Sequence, residues 1–209
     1  MASIQPFAVV TGVAAAMPRA NVDTDQIMPK QFLKGIDRGG LADGFLHDLR
    51  FTASGIRRAE FVLNQTPWDR AIFLVVGPNF GCGSSREHAV WGMMQIGIRA
   101  VIGTQFGGIF TDNCLRNGVP AILLPHGDVE RLMMLAADAS RCTLAIDLSA
   151  QTIAVDATNE PIRFDFDPVH KDMLVRGLSA VDSTLEHAPA IASFEEHYYS
   201  EHSWLREPM

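Results

Sequence analysis

Three apolar runs do most to limit what this chain can become. "AIFLVVG" (71–77), "AVIGTQF" (100–106) and "VPAILLP" (119–125) are continuous and partly β-branched. Such a run suits a strand covered on both faces, because neither side of its pleat can be left in water. Between them lie "SSREHAVWGMMQIG" (84–97), which reads as a helix ending at Gly97, and "GGIFTDNCLRNG" (107–118), a shorter helix stopped by Gly118. "HGDVERLMMLAADA" (126–139) adds a third helix. Strands and helices in alternation specify an α/β class, with a mostly parallel sheet and right-handed crossovers.

The flanks are less regular. "PFAVVTGVAA" (6–15) predicts an opening strand. "LKGIDRGGLADGFLHDLRF" (33–51) is rich in Gly and Asp and weak in periodicity. It predicts a long irregular excursion, the kind of segment that often carries function. "AEFVLN" (59–64) predicts a short strand and "TPWDR" (66–70) a brief helix start. "CTLAIDLSAQTIAVDATNEPIRFDF" (142–166) alternates in short pieces, as hairpins do. Helical spacing returns from about residue 168, and "FEEHYYSEHSWL" (194–205) predicts a terminal helix packed on this domain or on a partner. With no internal repeat, residues 1–209 are expected to form one domain with a helical tail.

Composition excludes several functions. The 209 residues, 47% of them hydrophobic, can bury a substantial core. The net charge of −7, without a Lys/Arg block, argues against nucleic acid as the main partner. Cys82, Cys114 and Cys142 are too widely spaced for a zinc or iron–sulfur motif, and an odd count suits a reducing compartment. No stretch has the length of a membrane span, and no basic residue precedes Arg19. A soluble, cytoplasmic protein is expected.

The stretch carrying most chemistry is "GPNFGCGSSREHA" (77–89), running from a strand into a helix. Gly81 and Gly83 permit a tight turn. Ser84 and Glu87 have the S-x-x-E spacing of a capping box. The helix start exposes unpaired N–H groups, and Arg86 adds a fork suited to a carboxylate. Ligands sit at the carboxyl ends of parallel strands in open α/β sheets. Cys82 with His88 is open to a reading as a thiol nucleophile with its base, against a plain small residue in a turn. A phosphate- or nucleotide-binding module is a further class, although neither G-x-x-x-x-G-K-[ST] nor G-x-G-x-x-G occurs. A second polar cluster, "NVDTDQIMPKQFLK" (21–34), holds Asp23, Thr24, Asp25, Lys30 and Lys34. These residues could cap a turn and meet solvent, or pair charge with an apolar wall.

Together, "NVDTDQIMPKQFLK" and "NFGCGSSREHAVWGM" resemble the signatures of the small subunits of 3-isopropylmalate dehydratase, in the aconitase superfamily. "GIFTDNCLRNGVPAILLP" (108–125) is similar to them as well. The resemblance spans nearly the whole chain and is loose beyond about residue 140. It implies a swivelling β/β/α domain like the last domain of aconitase. It implies interconversion of 2- and 3-isopropylmalate through isopropylmaleate, in leucine biosynthesis. It places a [4Fe–4S] cluster on a partner large subunit and no cofactor on this chain. Ser84 matches the general base and Arg86 a carboxylate ligand, with Ser85 hydrogen-bonding beside the base. Thr24 and Asp25 match a Thr-Asp pair in which the aspartate orients its neighbours. The sequence departs from aconitase at Met28, where aconitase has a serine, and in "PKQFLK", which lacks an arginine that binds aconitase's extra carboxylate. An isopropyl group in place of that carboxylate suits the change, so Lys30, Phe32 and Leu33 become candidates for substrate contact. Related dehydratases acting on citraconate, dimethylmalate or homoaconitate share the turn and stay open.

Overall fold

The computed structural model describes residues 4–33, 39–84, 86–155 and 160–206. The chain opens with β1 (Val9–Met17) and continues through a long connection with two short helices, α1 (Thr24–Ile27) and α2 (His47–Arg50). There follow β2 (Phe73–Val76), α3 (Glu87–Gln95), β3 (Ala100–Gly103), α4 (Gly108–Arg116), β4 (Ala121–Leu123) and α5 (His126–Ala136). Next come β5 (Thr143–Asp147), β6 (Thr152–Ala154) and β7 (Ile162–Arg163). The last helices are α6 (Pro168–Arg176), α7 (Ala180–Leu185) and α8 (Ala188–Glu201).

The seven strands form one sheet in the order β4-β3-β2-β1-β5-β6-β7. The first four pair in parallel, with Ala14 opposite Phe73, Leu74 opposite Val101 and Ile102 opposite Ile122. The hairpin strands β5, β6 and β7 extend the sheet antiparallel from the other edge of β1. Every residue of β2 and β3 is buried, which is why both read as unbroken apolar runs. Their side chains alternate between two cores. Leu74 and Val76 pack with Ala89, Val90 and Met93 of α3 and with Phe110 and Cys114 of α4. Phe73 and Val75 pack with Val129, Leu132 and Ala136 of α5. Each fully buried Leu, Val, Phe or Met among them contributes about 1.5–3 kcal/mol relative to exposure.

The connection between β1 and β2 is irregular, as its composition predicts, yet Leu41, Phe45, Leu46 and Leu63 within it are buried. Side chains from elsewhere satisfy its backbone. Gln95 Oε1 accepts from the N–H groups of Leu41 (2.7 Å) and Ala42 (3.2 Å). Arg50 Nη1 donates to the carbonyls of Ala42 (2.9 Å) and Phe45 (3.1 Å). Paired in this way, a buried loop loses little for its lack of a ladder. "AEFVLN" is not a strand. Val62–Asn64 is a turn of 3-10 helix, and Asn64 Nδ2 donates to the carbonyls of Arg50 (2.7 Å) and Arg58 (2.9 Å). A short apolar run cannot by its pattern alone distinguish these outcomes.

The tail begins where the spacing places it, with Asp167 capping α6 ahead of Pro168 and Gly177 ending it in the left-handed conformation. The expectation that the last helix packs on this domain is corrected. No residue of α8 is buried, and its rings stack on one another, Phe194 on Tyr198 at 5.7 Å and Tyr198 on His202 at 4.5 Å.

Candidate active site at the ends of the parallel strands

The carboxyl ends of β1, β2 and β3 run on into three loops that stay in register beyond the sheet. Gly81 N–H donates to the Val22 carbonyl (2.8 Å), Thr24 N–H to the Cys82 carbonyl (2.9 Å) and Gly107 N–H to the Phe80 carbonyl (2.9 Å). The turn of residues 77–84 is thereby gripped on both sides. Gly81 and Gly83 have φ of 74° and 89°, in the left-handed region, where a side chain is strained. Thr24 is buried, and its Oγ1 donates to the Ser84 carbonyl, a second clamp on the same turn.

These loops enclose a cavity of about 230 Å³. Gly81–Ser84 and Arg86 form one wall, Gly107–Phe110 at the start of α4 the other, and Thr24 lies at its base. Ser84 is exposed to it. Arg86 Nη1 pairs with Asp25 Oδ1 from α1; the arginine side chain is 15% exposed and the aspartate 48%. Among the described residues Arg86 Nη2 and Nε have no hydrogen-bond partner, so the guanidinium is anchored at one nitrogen. A larger groove of about 530 Å³ lies between α4, α6 and α7, but it gathers none of these groups.

The capping box expected at Ser84 does not form. The residue preceding α3 as its cap is Arg86, without a side-chain cap bond. Glu87 is turned instead toward α4, where Asn117 Nδ2 donates to its Oε1 at 2.8 Å. The capping box that does form is at Ser179 and Asp182, heading α7. Asp23 caps α1 through Gln26 N–H (2.8 Å). Met28, at the position where aconitase has a serine, is fully buried, close against Gly44 and Gly92, and so belongs to the core. Lys30 is exposed. Phe32 and Leu33 pack against the core, and neither lines the 230 Å³ cavity. Ser85 and Lys34 lie outside the described residues.

The thiol reading gains nothing here: the His88 ring lies tilted against Trp91 (4.7 Å between ring centres), and no Cys82–His88 hydrogen bond occurs among the described residues. Cys114 and Cys142 are buried, and burial pushes both thiols up from their ordinary range. Set in three separate places, the cysteines do not make a ligand set for an iron–sulfur cluster. Among the described residues no three His, Cys, Asp or Glu side chains are grouped to hold a metal ion. No helix among them is long and apolar enough to cross a membrane. The wall made by Gly107–Phe110 was not read from the sequence as part of a site; the glycine pair following a buried strand was its one signal.

The family model of the aconitase C-terminal domain matches residues 4–127 of this chain. The chain is 51% identical to 3-isopropylmalate dehydratase small subunit 1 of Mannheimia succiniciproducens, over 96% of this chain and 98% of that one. It is 47% identical to 3-isopropylmalate dehydratase small subunit 2 of Salmonella typhimurium, over 97% and 96%. It matches the crystal structure of 3-isopropylmalate dehydratase from Methanocaldococcus jannaschii with a TM-score of 0.62 at 27% identity, covering 90% of this chain and 99% of the other. The chain belongs to the aconitase C-terminal domain family and, within it, to the small subunits of 3-isopropylmalate dehydratase.

Proposed function

We propose that this chain is the small subunit of a cytoplasmic hydro-lyase that interconverts 2-isopropylmalate and 3-isopropylmalate through isopropylmaleate, in leucine biosynthesis. Residues 1–209 act as one swivel-type domain. The observation that carries the reading is the convergence of Ser84 and Arg86 on one cavity, with the arginine held by Asp25.

Loss of hydroxide from a hydroxy acid calls for a Lewis acid. Among the described residues no ligand set for one is gathered, and a [4Fe–4S] cluster is assigned to a large partner subunit. The chain's own share is to bind a carboxylate and move a proton. Arg86 presents Nη2 and Nε to the substrate carboxylate while Asp25 fixes its plane. Ser84 takes the proton from the carbon beside that carboxylate. A serine hydroxyl ordinarily loses its proton far above neutral pH. The Arg86 charge and the N–H groups at the start of α3 favour the alkoxide. Ser85 takes, by the family resemblance, the role of a hydrogen-bonding residue beside the base, and Thr24 holds the turn. Lys30, Phe32 and Leu33 reach substrate only as the segment after α1 meets the large subunit.

The test is co-expression with a cluster-bearing large subunit and anaerobic assay on isopropylmalate, citraconate and citrate. Isopropylmalate should be the preferred substrate. Ser84→Ala should lower turnover by about 10²–10⁴-fold, the range of a lost proton-transfer group, with assembly intact. Preference for citraconate would move the chain to a related dehydratase, and near-normal turnover by Ser84→Ala would remove the serine as base.

A further inference from the structure

The Asn117 carboxamide sits at the carboxyl end of α4, 9% exposed, with both ends engaged. Its Nδ2 donates to Glu87 Oε1 (2.8 Å) and to the Asn113 carbonyl (2.8 Å), and its Oδ1 accepts from Trp91 Nε1 (3.0 Å). Glu87 and Trp91 stand four residues apart on α3, about 6 Å along its axis. One amide thus grips α3 at two heights on a single face, which opposes both rotation and sliding of that helix. Glu87 directly follows Arg86, and the start of α4 forms the opposite wall of the cavity.

We infer that Asn117 is a positioning residue for the reaction: through Glu87 and Trp91 it sets the angle at which α3 presents Arg86 and the serine turn to substrate. This rests on the function proposed above. A small residue terminating a helix would otherwise need no such network, since Gly118 beyond it already has the left-handed φ of 79° that ends α4. The functional use of the network is that both walls of the site are tied by one group.

The experiment compares the reconstituted two-subunit enzyme carrying Asn117→Asp with one carrying the exchange Glu87→Gln/Asn117→Asp. In the single variant two carboxylates face each other where a donor met an acceptor. A misplacement of about 1 Å costs on the order of 10²-fold in rate, so kcat/KM should fall by about ten- to a hundredfold. The exchange restores a donor and an acceptor between the two side chains with their roles reversed, while the Asn113 carbonyl is without its donor in both variants, so kcat/KM should recover at least about threefold over Asn117→Asp without reaching wild type. Thermal midpoint and subunit association are measured alongside, since a merely structural role would move these and leave kcat/KM of the assembled enzyme unchanged. Full activity of Asn117→Asp, or an exchange variant that folds and assembles yet is no more active than Asn117→Asp, overturns the inference. If Asn117→Asp does not assemble, Trp91→Phe decides: it removes the Nε1–H donor while keeping an aromatic ring beside His88, and unchanged kcat/KM would overturn the inference as well. An active wild type with an unrescued exchange refutes this inference alone, whereas a wild type inactive on every hydroxy acid refutes the proposed function and this inference with it.

Discussion

Gly107 and Gly108 are neighbours at the start of α4, and the structure gives them opposite responses to one methyl group. A Cβ on Gly107 would lie 2.3 Å from the Gly81 carbonyl oxygen, against the 3.4 Å at which ordinary contact begins. The obstacle is backbone, and Gly107 N–H is bonded to the Phe80 carbonyl at 2.9 Å, so neither loop can swing aside freely. Relief requires one wall of the cavity to retreat by about 1 Å. Overpacking of this kind costs about 1–3 kcal/mol, and a displacement of that size at a reacting centre costs about 10²-fold in rate. A Cβ on Gly108 meets nothing within 4 Å. Alanine there restricts the unfolded chain, stabilising by about 0.4–1 kcal/mol. Urea denaturation of the isolated chain should therefore show a lower midpoint for Gly107→Ala and an equal or higher one for Gly108→Ala, with m unchanged in both. Only Gly107→Ala should strongly lower kcat/KM in the assembled enzyme. Equal midpoints would mean that the close approach of the two loops does not exist in solution.

Three further outcomes follow from the same geometry. Asp25→Asn should leave stability within about 1 kcal/mol, because the pair with Arg86 is half in solvent. It should lower kcat more than it raises KM, and a change confined to KM would assign Asp25 to binding alone. Thiol titration at pH 8 should find one accessible cysteine, the half-buried Cys82, while Cys114 and Cys142 react only on addition of denaturant. Prompt reaction of all three would contradict the packing. Removal of residues 187–209 should shift the denaturation midpoint of the isolated chain by no more than about 0.5 kcal/mol in equivalent stability, since α8 buries nothing. A large loss would show that α8 packs on the body in solution.

The parallel half of the sheet was legible because β2 and β3 are buried on both faces, and two-sided burial leaves an unbroken apolar run. The connection between β1 and β2 was not, because its order comes from distant side chains. Gln95 reaches back 54 residues to Leu41, and no local pattern encodes that bond. Two of the S-x-x-acid patterns make the point sharply. Ser179 and Asp182 close a capping box on exposed chain. Ser84 and Glu87 have the same spacing, but Asn117, 30 residues beyond Glu87, takes its carboxylate. A local motif holds only where no tertiary partner competes. In the site, glycines at positive φ announced the turn, whereas the pair of Asp25 with Arg86 joins residues 61 apart in the chain.

How the site is held bears on why it is built at a loop junction at all. Its backbone is fixed by bonds inside the fold, from Val22 to Gly81, from Thr24 to Cys82 and Ser84, and from Phe80 to Gly107. The groups facing the cavity are treated differently: Ser84 is exposed, and Ile109 on the opposite wall is 52% exposed. Water around an exposed hydroxyl screens the Arg86 charge and the N–H dipoles, so these favour the alkoxide strongly only when water is expelled from the site. On the proposed function, a rigid turn that leaves Ser84 in solvent is preorganised but not activated. Its activation would then come from a second surface that covers Ser84 and Ile109 while the turn stays still, and such a cover would leave the serine inert whenever the partner is absent.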